Sequence, residues 1–165
     1  MPIVYGDGLS NKEIAEIENK YSIAFPKSYV DFLNKYNGLV VREFDACDIP
    51  YDNVDNGFIS FDALFGVRFI NDNFDLYEIN DDYLDEISFI NSCFIIGVDP
   101  GDNFYILVND QDNIGVYYWD RTHLHADDDL QNYHFKEINE CGNLYKVSNS
   151  FDDFFKSILE FTKGG

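Results

Sequence analysis

The spacing of apolar and polar positions changes along the chain, and each change marks an element. Ser10-Asn11-Lys12-Glu13 reads as a capping box: the Ser hydroxyl accepts from the Glu13 N–H, and the Glu13 carboxylate reaches back to the Ser10 N–H. Ile14, Ile17 and Tyr21 follow at i, i+3, i+7, which predicts a short amphipathic helix ending near Lys20. Phe25-Pro26 opens a second helix, with the proline near its first position, where a missing N–H costs little. Tyr29, Phe32, Leu33 and Tyr36 form its apolar stripe, and Asn37-Gly38 supplies the left-handed residue that stops it.

Beyond Gly38 the period shortens to runs of aromatic and β-branched residues separated by Asp, Asn and Gly, the pattern of a sheet. Strands are predicted near Gly57–Phe61, Phe94–Val98, Asn103–Asn109, Gly115–Trp119 and Leu144–Val147. Asp99-Pro100-Gly101-Asp102, with its glycine chosen for a positive φ, and Asp110-Gln111-Asp112-Asn113 punctuate the middle three, which should form an antiparallel meander. Leu76, Ile79, Tyr83 and Ile87 fit helical spacing better than alternation. Ser150 begins a last helix, with Asp153 placed as a reciprocal cap and Phe151, Phe154, Phe155, Ile158 and Leu159 as a stripe that should lie flat on the sheet. Segments 44–56 and 120–135 are polar enough to be long loops or insertions. The expectation is one α+β domain over residues 1–165, an antiparallel-rich sheet packed by N-terminal helices and a C-terminal helix.

Charge changes this picture from fold to partner. The formal net charge is −20, and residues 46–135 carry nineteen acids against only Arg68 and Arg121. Sixteen Phe, 12 Tyr and 1 Trp exclude a disordered acidic tail, so the charge rides on a folded body. A field of that sign repels nucleic acid and anionic membrane and attracts basic proteins; it also serves plain solubility. No apolar run reaches the ~20 residues of a membrane span, and the N-terminus lacks a basic, apolar leader, which points to the cytoplasm. Cys47, Cys93 and Cys141, an odd number without C-x-x-C spacing, read as reduced thiols.

Candidate chemistry is sparse. His123 and His125, with His134 and Cys141 nearby, are better read as solvated loop residues than as metal ligands. Asp110–Gly115 begins like a calcium loop, but Ile114 takes a ligand slot and Arg121 stands where the bidentate Glu belongs, so it is a hairpin turn. No G-x-S-x-G, H-E-x-x-H or P-loop is present, and carboxylates are too abundant for any pair to stand out. No catalytic residue, cofactor or metal is expected. In Tyr117-Tyr118-Trp119, alternation places Tyr117 and Trp119 in the core.

The ordered series Ile17-Glu18, Phe25-Pro26-Lys27-Ser28-Tyr29, Asn37-Gly38, Gly57-Phe58-Ile59, Leu64-Phe65-Gly66, Ile96-Gly97 with Gly101-Asp102, Trp119-Asp120 and Ser150-Phe151 resembles the SMI1/KNR4 (SUKH) family over nearly the whole chain. Leu39 departs from it, standing where the family often has a second glycine. The resemblance implies a SUKH-like fold and a binding role. Bacterial members are mostly immunity proteins that block toxin domains, often nucleases, and fungal relatives look like regulatory scaffolds. On that footing the expected partner is a basic protein, a cognate toxin domain, with no nucleic acid and no membrane. The acidic residues first expected to meet it are Asp81, Asp82, Asp85 and Glu86, and Asp127, Asp128 and Asp129.

Overall fold

The structure, a computed structural model, describes residues 2–43, 45–54, 56–69, 72–122, 124 and 142–163. The chain runs through β1 (Ile3–Tyr5), α1 (Asn11–Tyr21), α2 (Lys27–Tyr36), β2 (Leu39–Val41), β3 (Ala46–Pro50), β4 (Phe58–Phe61) and β5 (Ala63–Leu64). After a 3-10 turn at Asp72–Phe74 come α3 (Leu76–Tyr83), a second 3-10 turn (Leu84–Ile87), and β6 (Cys93–Val98), β7 (Phe104–Val108) and β8 (Gly115–Asp120). β9 (Asn143–Ser148), α4 (Phe151–Phe161) and β10 (Thr162–Lys163) complete it. Seven strands in the order β1-β2-β5-β6-β7-β8-β9 form the main sheet, and β10-β3-β4 form a small second one, every neighbouring pair antiparallel. The α+β class, the β6-β7-β8 meander and the helices at both ends agree with the sequence. Among the described residues no helix is long and apolar enough to cross a membrane.

Local chemistry explains the helix limits. Both bonds of the Ser10–Glu13 box form, at 3.2 Å and 3.1 Å, and Ser22 in the left-handed region ends α1. At α4 only half of the box exists: Ser150 Oγ accepts from Asp153 N at 3.1 Å, but the Asp side chain is a methylene shorter than Glu and makes no return bond. Pro26 is the residue before α2 rather than its first, and its carbonyl accepts from Tyr29 and Val30. Within the Asn37-Gly38 pair it is Asn37 (φ 66°) that stops α2, and in the β6–β7 turn the positive φ falls on Asp102 (66°) rather than on Gly101 as expected. Asn and Asp enter positive φ more readily than other non-glycine residues, and at Asn37 the side-chain amide is held by the backbone of Val67.

The main sheet is covered on both faces. Cross-strand partners share a face, so Phe104 and Trp119 look one way and Tyr105, Tyr118 and Tyr145 the other. The first face meets α3 through Tyr83, whose ring lies 5.1 Å from Phe104. The second meets α4 through Phe154, 5.0 Å from Tyr105. Tyr117, Tyr118 and Trp119 are therefore all buried, where alternation had favoured only two of them. Three further expectations change. Segment 44–56 contains strand β3, with Cys47 and Ile49 turned inward. Leu159 leaves the α4 stripe and is exposed. Residues 74–87 divide into α3 and a 3-10 turn rather than one helix.

Candidate functional site

A cleft of about 610 Å³ lies between α3 and the β6–β7 turn. Its aromatic floor comes from Phe74, Tyr83 and Phe104, and its rim from five carboxylates: Asp62, Glu78, Asp82, Asp99 and Asp102. One cation, Arg121, lines it. Helix α3 sets Glu78 and Asp82 on one side because Leu76 and Asn80 are buried against the sheet, which turns the polar face of this helix outward. Asp75 caps it, accepting from Glu78 N at 3.1 Å.

The opposite rim is rigid. Buried Asp99 accepts from Gly101 N and Asn103 N, each at 2.8 Å, from Asn103 Nδ2 at 3.2 Å and from Tyr118 Oη at 2.6 Å. Asn103 Oδ1 in turn accepts from Thr122 N and Oγ1 at 2.9 Å and 3.0 Å, which ties the turn to the end of β8. Asp99 is thus fully engaged and serves as a structural acid. Its charge also lifts the Tyr118 hydroxyl far above the usual phenol range, after burial as the larger cause.

Asp62 connects β4 to β5 at the cleft edge, with its backbone N–H given to Val98 O at 2.9 Å. Burial first, and the nearby charge of Asp99 second, hold its carboxyl above the ordinary range. Among the described residues, the carboxylates of Asp62, Asp82 and Asp102 have no hydrogen-bond or ion-pair partner. Three anionic groups therefore face the cleft uncompensated, against aromatic walls. Such a surface suits a cation that is planar or carries an alkyl stem.

The acids picked from the sequence are dispersed. Asp82 lines the cleft, and Glu86 stands at its edge, 3.8 Å from the Arg121 guanidinium. Asp81 turns away: it accepts from Lys20 Nζ at 3.0 Å and Tyr21 Oη at 2.7 Å, so it fastens α3 to α1. Partial burial works against its charge, yet those two donors outweigh it and hold the carboxyl below its ordinary range. Asp85 is exposed on the 3-10 turn. Asp127, Asp128 and Asp129 lie outside the described residues, as do His123, His125, His134 and Cys141. Sequence reasoning passed over Asp62, Glu78, Asp99 and Asp102 as site residues. Only the fold joins these positions, and the one available signal was the acidity of the Asp99–Asp102 turn.

Cys93 and Cys47 are buried; burial pushes the Cys93 thiol up to about 12 and raises that of Cys47, so both stay protonated at neutral pH. Among the described residues no group of three or more His, Cys, Asp or Glu has the arrangement to hold a metal ion.

The chain thus combines an antiparallel-rich α+β fold with an acidic, aromatic-walled cleft. The chain belongs to the SMI1 / KNR4 family (SUKH-1), whose family model matches residues 8–157. Among curated proteins none matches the sequence.

The residues that carry the family pattern build the frame. Tyr29 packs against Phe25 and Phe151 at ring distances of 4.9 Å and 5.0 Å. Asn37 brackets Val67, donating to its carbonyl and accepting from its N–H, both at 2.8 Å. Asp120 accepts from Leu124 N at 2.8 Å. Leu39, the departure from the pattern, is a fully buried β2 residue paired with Tyr5 and Leu64.

Proposed function

We propose that this chain is an immunity-type member of its family: a cytoplasmic protein that binds a cationic toxin domain, such as a nuclease whose phosphate-gripping cleft is basic, and blocks it without turnover. The observation that carries this reading is the set of three carboxylates, Asp62, Asp82 and Asp102, that have no partner among the described residues and surround one aromatic-floored cleft. A basic protein approaching a chain of net charge −20 is steered toward it, and an aromatic-walled anionic cleft gives its cationic side chains a desolvated seat. Occlusion of the toxin's own basic surface then suffices for inhibition.

The test is co-expression with the protein encoded beside this chain's gene. Wild type should restore growth to cells poisoned by that protein. The triple variant Asp62→Asn, Asp82→Asn, Asp102→Asn should rescue poorly and bind the purified partner with a slower on-rate. Full rescue by the triple variant with an unchanged on-rate would remove the cleft from the mechanism. A mutation-sensitive turnover of substrate by the chain itself would replace binding with catalysis.

A further inference from the structure

We propose that Arg121 is a positioning residue for the acidic cleft, an inference that rests on the docking reading above and adds the device that sets the shape of the site. Arg121 follows β8, and its side chain is only 20% exposed. Its guanidinium carbon lies 4.4 Å from the ring centre of Tyr83, 4.7 Å from that of Phe104 and 5.2 Å from that of Trp119. Nη1 donates to the Asp102 carbonyl at 3.2 Å, and Nη2 lies 3.8 Å from the Glu86 carboxylate. One side chain therefore touches both walls of the cleft: Tyr83 and Glu86 on the α3 side, and Asp102 on the turn side.

Neutralising the cleft is the obvious alternative role, and the contacts speak against it. The guanidinium is spent on three ring faces, one backbone carbonyl and one distant carboxylate. Asp62, Asp82 and the Asp102 carboxylate remain without a partner among the described residues. Nε is buried and has no hydrogen-bond partner either, a desolvation cost that the stacking offsets. A planar fork held flat between rings fixes distance and angle between the elements it touches, which a flexible ammonium on an alkyl stem does not.

The two roles predict opposite signs. If Arg121 acts by charge, removing a cation from beside an acidic cleft tightens a cationic ligand. If it acts by position, the ligand binds less tightly although the protein has become more negative.

The probe is a fluorescein-labelled tetra-arginine peptide, with affinity read by anisotropy near physiological salt, where the Debye length is about 8 Å and general attraction is damped. Arg121→Gln and Arg121→Lys should each weaken binding about fivefold or more, the loss typical of an interface position that matters. Lys27→Gln, the same charge change at an exposed α2 position outside the cleft, should not weaken it. Gly38→Ala, destabilised elsewhere, should keep wild-type affinity, which separates positioning from loss of stability. Equal or tighter binding by Arg121→Gln would overturn the inference and leave the docking reading intact. Should that variant fail to fold, Arg121→Lys decides alone: wild-type affinity in it overturns the inference. If Asp82→Asn binds the peptide as wild type does, the cleft is not the docking site, and both readings fall.

Discussion

Asn80 treats Ile95 as a neighbouring strand would: its Nδ2 donates to the Ile95 carbonyl and its Oδ1 accepts from the Ile95 N–H, both at 2.9 Å. Strand β5 is only two residues long and pairs with Gly97 and Val98, so it ends before it reaches Ile95. The amide of Asn80 completes the ladder there, just beside the irregularity between Ile95 and Gly97. Because α3 carries Glu78 and Asp82, this pair also fixes one wall of the cleft. Asn80→Ala leaves two buried backbone groups unbonded and should cost about 2–4 kcal/mol in urea denaturation. A loss under about 0.5 kcal/mol would mean that water or a shifted β5 replaces the amide.

The Asn37-Gly38 pair is a packing device around Phe69. Ideal Cβ atoms at Gly6, Gly38 and Gly66 would lie 2.7, 2.7 and 2.8 Å from Phe69, so three chain segments approach its ring or stem as only glycine permits. At Gly38 the Leu64 carbonyl, 3.0 Å away, blocks escape. Gly38→Ala should destabilise by about 1–3 kcal/mol through overpacking. Adding Phe69→Leu should recover part of that loss, and a double-mutant cycle of thermal melts measures the coupling. Purely additive effects would show that the methyl collides with the backbone alone.

Elements with a long period were legible and short ones were not. The stripes of α1, α2 and α4 and the apolar runs of β6, β7 and β8 announce themselves because burial repeats over several residues. β1, β2, β5 and β10 have two or three residues each and show no period at all. β3 was readable in principle, since Cys47 and Ile49 alternate with exposed neighbours, but the acids around them gave the segment the look of a loop. Tyr118 was misjudged because alternation assumes one wet face, and this sheet has none over β8. The cleft was hidden for a different reason. Asp62, Asp82 and Asp102 lie in separate elements, and acids are so common here that only three-dimensional proximity distinguishes them.

Steering by the whole field and seating in the cleft separate in kinetics. For a basic toxin partner, the on-rate should fall steeply as salt rises from about 50 mM to 500 mM, because the Debye length shrinks below the distance over which −20 acts. Asp85→Asn, an exposed site off the cleft, should alter mainly that on-rate; Asp82→Asn should also speed dissociation. Stopped-flow mixing at several salt concentrations reads both constants. A salt-independent on-rate would remove steering from the account.

Asp62 links stability to pH in a direction that can be worked out from its surroundings. Burial, and then repulsion from Asp99, raise its carboxyl above the ordinary range in the folded chain. The folded state therefore holds this proton more tightly than the unfolded state. Its contribution favours the fold fully below the unfolded pKa, near ~4, and is lost as pH rises through the folded value. Asp62→Asn keeps the shape and removes the charge. At pH 7 the variant should melt at a higher temperature than wild type, and the gap should close as pH falls through the carboxylate range. The same substitution should weaken binding of a cationic partner at pH 7, since it deletes one of the three uncompensated charges. Thermal melts between pH 3 and pH 7, beside anisotropy at pH 7, measure both halves. A variant less stable than wild type at pH 7 would show that the Asp62 carboxylate has a favourable role in the fold. Greater stability without weaker binding would place the partner's cation elsewhere on the acidic surface.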